Sequence, residues 1–471
     1  MNPTIIENQS MCKSSVIFHI GETPIDILQN DESFGIVSIE LPKMTPINKS
    51  IFLKYTIDAS DSMSLSDPRY YTRLDYVKET LINMLKGIVV FINDELQVRL
   101  HIDAFSDEVE NIVYDTVLTR ENIDSIILKI QQINTMNMTN IEKAIKKTNE
   151  IIEEMSEKYP DFTIAHVFLT DGCPSKGILS VKELKNLVSS NFQTTFIGFG
   201  IEHNSKLLQE FANTHISHKY LFVDHLSTTG IIYGELIHNI LHACLQNICI
   251  KIENGEIYNS RQNIWSNTLE FYDMVSEKEY IYHIKNKIHG STSVTISGSC
   301  VLNDDFSHTF VNKQPEDLSK YIFRQKTMEL LNEAVKERTD SFTDIKKRLN
   351  TLFTDIRKYM SEHESNDTFM QTLCDDIYIC YKTLGTKHGR MFSISRNTSQ
   401  REQSYYRASS SLVELPEVKR QICDIYIPEP EYMLYQEDPV LDEIENYTLR
   451  YENDSTFIND ETVNFINSMS S

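Results

Sequence analysis

Between residues 51 and 245 the hydrophobic pattern switches repeatedly between two periods. Short apolar runs, "IFLKYTI", "VRLHIDAF", "TIAHVFLTD", "TTFIGFG" and "KYLFVD", predict strands, with His101 and Asp103 on the polar alternations of the second. Between them lie segments of helical spacing. Leu74, Val77, Leu81, Leu85 and Ile88 form one stripe. "NIEKAIKKTNEIIEEM", "SVKELKNLVSS", "SKLLQEFAN" and "GIIYGELIHNILHACL" carry others. Strand–helix alternation at this pitch predicts an α/β fold, a parallel sheet wrapped by helices. Ligands of such sheets sit at the carboxyl ends of the strands.

Outside this stretch the texture differs. "SSVIFHI" and "FGIVSIEL" precede it, and "NICIKIENGEIY", "TLEFYDMV", "EYIYHIKN" and "STSVTISGSCVL" follow it; all are β-like. The N-terminal pieces are too short to fold alone. Residues 1–50 and 246–314 are therefore expected to complete one β-rich domain around the inserted 51–245 unit. Residues 315–385 read as a helical unit packed on that β domain, with Phe342, Ile345, Leu349, Leu352, Phe353 and Ile356 as one stripe. Residues 386–471 begin with the Ser-rich "SISRNTSQREQSYYRASSS" and read as a linker and acidic tail.

The net charge of −23 disfavours nucleic acid, whose phosphates attract Lys and Arg. Eight scattered cysteines form no CxxC pair, so the expected state is free thiols in a reducing, cytoplasmic or intracellular setting. No run of about 18 apolar residues predicts a membrane span. The N-terminus lacks the charge and apolar run of a signal peptide. The richness in Ile, Asn, Lys and Tyr is what an AT-rich genome imposes, as in protists and large DNA viruses; for a viral chain the virion is a further expected location. No P-loop and no Gly-x-Ser-x-Gly elbow is present, so neither an NTPase nor an α/β-hydrolase is expected. His238 and His242, four apart with Cys244 and Cys249 nearby, read as helix packing ahead of a zinc pair. His215 and His218 read as surface loop residues, and Cys173 as a small buried thiol.

One constellation carries chemistry. The first strand ends in Asp58-x-Ser60-x-Ser62, Thr139 precedes a helix, and the strand "HVFLTDG" ends in Asp171. Three loops at one sheet edge thus offer two carboxylates and three hydroxyls, an all-oxygen set suited to a hard divalent cation. Two carboxylates leave such a metal short of strong donors and ready to accept another carboxylate or water.

In order and spacing these residues resemble the metal-ion-dependent adhesion site of von Willebrand factor A domains. "HIDAFSDEVENIV" and "FIGFGIEHNSKLLQEFANTHISHKYLFVD" resemble flanking parts of that family. The resemblance implies Ser60, Ser62 and Thr139 as direct ligands of Mg²⁺, or of Mn²⁺ or Ca²⁺. It implies Asp58 and Asp171 as ligands directly or through water. It further implies a non-enzymatic scaffold that captures a carboxylate of a protein partner, or of its own tail around "QEDPVLDEIENY". Two other expectations stand beside it: a structural component of a large assembly such as a viral particle, and an adaptor in a ubiquitin- or ATPase-linked system. The order of β pieces, A domain, β domain and helices resembles multidomain members of that family, some of which carry ubiquitin-ligase or Hint-type modules. One departure stands out: Asp61 lies between the serines where the family often has Gly.

Overall fold

The computed structural model describes residues 15–20, 32–40, 50–65, 72–92, 96–199, 203–223, 236, 238–275, 278–287, 292–300, 305–311, 317–336, 342–363, 367–385 and 387–402. They fall into two compact units, one drawn from within 1–48 and 238–325, the other from within 49–237 and 326–471.

The first unit is antiparallel β. Its strands are β1 (Ser15–Ile20), β2 (Glu32–Glu40), β9 (Ala243–Glu253), β10 (Gly255–Asn259), β11 (Ile264–Ser266), β12 (Thr268–Val275), β13 (Glu279–Lys287), β14 (Ser293–Cys300) and β15 (Asp305–Val311). They form two sheets, ordered β1-β2-β13-β10-β11 and β12-β9-β14-β15. The N-terminal β2 pairs with β13 along its whole length, so the two ends of this unit are joined by backbone hydrogen bonds across the inserted sequence. Val37 and Ile39 of β2 share a core with Ile248, Ile250, Ile257, Ile284 and Ile296. Residues from Ala243 onward, expected to end a helix, are instead the start of β9. Alternate burial along Ile248, Ile250 and Ile252 decides for the strand there.

The second unit is built on a six-stranded sheet. Its strands are β3 (Ser50–Asp58), β4 (Gln97–Phe105), β5 (Val109–Val117), β6 (Thr163–Thr170), β7 (Gln193–Phe199) and β8 (Lys219–Val223). The order is β5-β4-β3-β6-β7-β8, parallel except for the antiparallel edge strand β5. Helices α1 (Arg73–Phe91), α2 (Ile123–Gln131), α3 (Ile141–Lys158), α4 (Val181–Lys185) and α5 (Ser205–Ala212) flank it. The chain passes from β3 to β4 on one side and reaches β6 on the other. The switch point, where such sheets open a crevice, is therefore between β3 and β6. The α1 stripe is buried at Leu74, Val77, Leu81, Leu85 and Ile88. Thr72 and Asp75 close a capping box at the start of α1.

His101 and Asp103 occupy polar alternations that do not meet solvent. Both are buried, in a charged layer on the α3 face of the sheet. The fully buried Lys54 ammonium donates to Asp103 Oδ2 at 2.8 Å, to Tyr55 O at 2.9 Å and to Thr56 Oγ1 at 3.1 Å, which uses all three of its protons. Asp103 Oδ1 also faces His101 Nε2 (3.0 Å) and accepts from Asn111 Nδ2 (2.8 Å). Thr56 meets Thr148 of α3 and His166, and His166 meets Thr194. His218, expected on the surface, is fully buried; its Nε2 donates to Ser189 O.

Three helices follow in the same unit: α7 (Phe342–Glu362), α8 (Thr368–Thr383) and α9 (Lys387–Glu402), preceded by α6 (Ser319–Lys336). The stripe from Phe342 to Ile356 is buried, as its spacing predicts. The segment read as the start of a Ser-rich linker is helix α9, with Met391, Phe392, Ser393, Ile394, Ser395 and Arg396 buried. Its polar groups find partners: Arg396 pairs with Asp376, and Ser393 donates to Cys380 Sγ. Gly389 lets α9 close on α8, because a Cβ there would lie 1.8 Å from Thr383 O. Ile394 joins Leu207, Phe211 and Tyr220, so α9 rests on the α/β core. Residues 403–471, read as a linker and acidic tail, lie outside the described residues.

The Lys54–Asp103 pair yields a stability prediction. Asp103→Asn strands a buried ammonium and should cost about 3–5 kcal/mol, read as a lower urea midpoint. Burial, partly offset by Asp103, holds Lys54 down to about 8 against an ordinary 10.5. Over that window the unfolded chain binds a proton that the folded chain does not. Stability should therefore rise with pH between about 8 and 10.5 and the rise should vanish in Lys54→Met; a pH-independent midpoint in the parent chain would contradict this.

Candidate metal centre

The five residues singled out by spacing converge. Asp58 is the last residue of β3 and Asp171 follows β6, its neighbour in the sheet, so both carboxylates emerge at the switch point. Both are buried. Asp58 Oδ1 accepts from Ser60 N–H at 2.9 Å and Oδ2 from Thr170 Oγ1 at 2.6 Å. Asp171 Oδ1 accepts from Ser62 Oγ at 2.7 Å, and Ser60 Oγ lies 3.1 Å from Ser62 Oγ. Thr139 completes the group: a Cβ built on Gly172 would stand 3.5 Å from both Ser62 Oγ and Thr139 Oγ1. Those two hydroxyls therefore face one small space.

Backbone bonds zip the supporting loops together. Ala59 N donates to Phe105 O, Met136 N to Ala59 O, Asp61 N to Asn137 O and Asn140 N to Ser106 O. Thr139 is clamped from both sides, its carbonyl accepting from Ser175 N and Lys176 N and its amide donating to Ser175 Oγ. Asn140 caps α3 by accepting from Lys143 N.

Asp61 opens a 3-10 turn, Asp61–Ser64, and is exposed. It is not among the residues with positive φ, so the backbone there does not require the family's glycine. The positive φ lies across the loop at Asn137, whose carbonyl takes the Asp61 amide.

Burial pushes the Asp58 carboxyl up to about 7, the charge of Asp171 adds to this, and the bonds from Ser60 and Thr170 oppose it. A buried carboxylate raised by the charge of a second beside it is what a divalent cation relieves. The donors are all oxygen, and three are neutral hydroxyls, which fits a hard cation. Among the described residues no group of three or more His, Cys, Asp or Glu could hold a metal, and His238 and His242 stack on one another at 4.5 Å.

Two participants carry no spacing signal in the sequence. Thr170 braces Asp58 from the neighbouring strand. Arg73, the first residue of α1, places Nη1 2.6 Å from Asp171 Oδ2. Only the capping box before it marks the helix start; nothing in the sequence marks where its side chain goes. Cys173, expected to be buried, is exposed.

Comparison with known proteins agrees with this architecture. The profile of the von Willebrand factor type A domain matches residues 55–172. A von Willebrand factor type A protein from Catenulispora acidiphila superposes with a TM-score of 0.52 at 12% identity, covering 83% of this chain and 97% of its own. The ArnB paralog VWA2 from Sulfolobus acidocaldarius gives 0.48 at 14% identity, covering 83% and 98%. Proximal thread matrix protein 1 of the mussel byssus, solved with zinc in its MIDAS motif, gives 0.34 at 16% identity, covering 42% and 50%. No curated protein matches the sequence. Residues 55–172 thus carry a von Willebrand factor type A domain, and the six-stranded unit around them has its fold.

Proposed function

We propose that this domain is a non-enzymatic binding module that holds a divalent cation, Mg²⁺ or a similar hard ion, and through it captures a carboxylate of a protein partner. The observation that carries the reading is the convergence of Asp58, Ser60, Ser62, Thr139 and Asp171 at the switch point between β3 and β6. The bound ion would supply a positive centre with room for one further oxygen ligand. The chain's own residues do the rest. Ser60, Ser62 and Thr139 offer hydroxyl oxygens, while Asp58 and Asp171 supply charge from buried positions that water cannot screen.

A protein partner is favoured by the rim. Leu65 is exposed in the β3–α1 loop, Met136 and Met138 in the loop ending at Thr139, and Leu179 in the loop after Asp171. Large apolar side chains exposed on three loops of one site suit a macromolecular surface more than a free ion. The chain's own stretch 436–447, "QEDPVLDEIENY", is one source of carboxylate; occupation in cis would make the module self-inhibited.

Titration calorimetry with Mn²⁺ should give one site per chain in 51–245, and Thr139→Ala should weaken it by about tenfold or more, since a ligand is lost. Asp171→Ala should abolish it. Retention of full affinity in both variants would overturn the reading. Saturating metal should also raise the melting temperature by mass action, with EDTA reversing the shift. In a chain lacking residues 424–471, capture of an added acidic peptide should strengthen if the tail occupies the site.

A further inference from the structure

The site already contains a cation of its own. Asp171 is fully buried, and its two oxygens are divided between Ser62 and Arg73, whose side chain is 20% exposed. Arg73 is held there by backbone: its amide donates to Leu65 O at 3.0 Å, and it begins α1 directly after the capping residue Thr72. The nearest acid on its own helix, Asp75, is occupied in the capping box, where Oδ2 accepts from Thr72 N and Oγ1. Among the described residues near the site, Lys176 is paired with Asp107 and Lys143 with Glu108. Asp61 is exposed and screened by solvent.

Among the described residues, charge at the centre can therefore be counted from three groups. Asp58, Asp171 and Arg73, with both acids ionised as a metal requires, leave one net negative charge. A divalent cation turns that into one net positive charge. Without Arg73 the loaded site would be neutral.

Resting on the metal-binding reading above, we propose that Arg73 makes this site selective for an anionic ligand: it weakens the hold on the metal and leaves the loaded centre positive, so that a carboxylate completes it. Arg73 acts through Asp171 and through its field, as a positioning and specificity residue. Its removal should have opposite effects on the two ligands. Loss of a general structural support would weaken both.

The test uses the full chain with Mn²⁺ as metal and acetate as the carboxylate, acetamide being the neutral control at equal concentration and ionic strength. In the parent chain acetate should tighten Mn²⁺ binding and acetamide should not. Arg73→Gln should bind Mn²⁺ about tenfold tighter, because a like charge is gone, and should lose the acetate effect. Arg73→Lys, which keeps the charge, should keep the acetate effect; its loss in a folded Arg73→Lys chain would overturn the proposal even if Arg73→Gln does not fold. Unchanged Mn²⁺ affinity and unchanged acetate coupling in Arg73→Gln would overturn the role of Arg73 while leaving metal binding intact. Absence of Mn²⁺ binding in both the parent and Arg73→Gln would overturn both readings at once.

Discussion

Asp58 and Asp171 are carboxylates buried at the ends of neighbouring parallel strands, and the surrounding loops are organised by that fact. A buried carboxylate must be hydrogen-bonded or neutralised. Each oxygen of the pair accordingly has a donor: Ser60 amide, Thr170 hydroxyl, Ser62 hydroxyl and Arg73 guanidinium. The turn just after β3 and the start of α1 bring in Ser60, Ser62 and Arg73, and β6 brings in Thr170. The same need makes the place receptive to a cation.

Beneath this edge lies a second charged layer. Lys54, Thr56 and Asp58 are successive positions on one face of β3, so the strand that ends in the site also carries the buried ammonium. The layer runs through Asp103, His101, Thr148, His166 and Thr194, spanning four strands and α3. Hydrogen bonds of this kind constrain side-chain geometry more tightly than apolar packing does. The result is a site resting on strands whose register is specified from inside the core.

Much of this was legible in the sequence because it depends on local pattern. Alternating strand and helix signals identified the α/β unit, and the stripes of α1 and α7 appear as expected. The spacing Asp58-x-Ser60-x-Ser62 pointed to one edge because a short turn after a strand leaves side chains few directions to take. What was not legible depends on partners far away in sequence. Arg73 needs Asp171, 98 positions distant, to have a role. Polar alternations at His101 and Asp103 look solvent-facing until Lys54 is placed opposite. Helix α9 hides behind serines and an arginine whose partners lie on α8.

Thr139 is fastened by its amide and its carbonyl to Ser175 and Lys176 as firmly as one strand residue is to another. Seen as mechanics, the α3 start and the loop after β6 are a single plate bolted at that residue. A backbone shift that draws Thr139 inward carries Ser175 with it, along with Lys176 and the turn at Gly177, where a side chain would run into Asn140 and Glu142. Movement at the centre would thus be felt first at Cys173 and Leu179, exposed residues that make no contribution to the charge of the site.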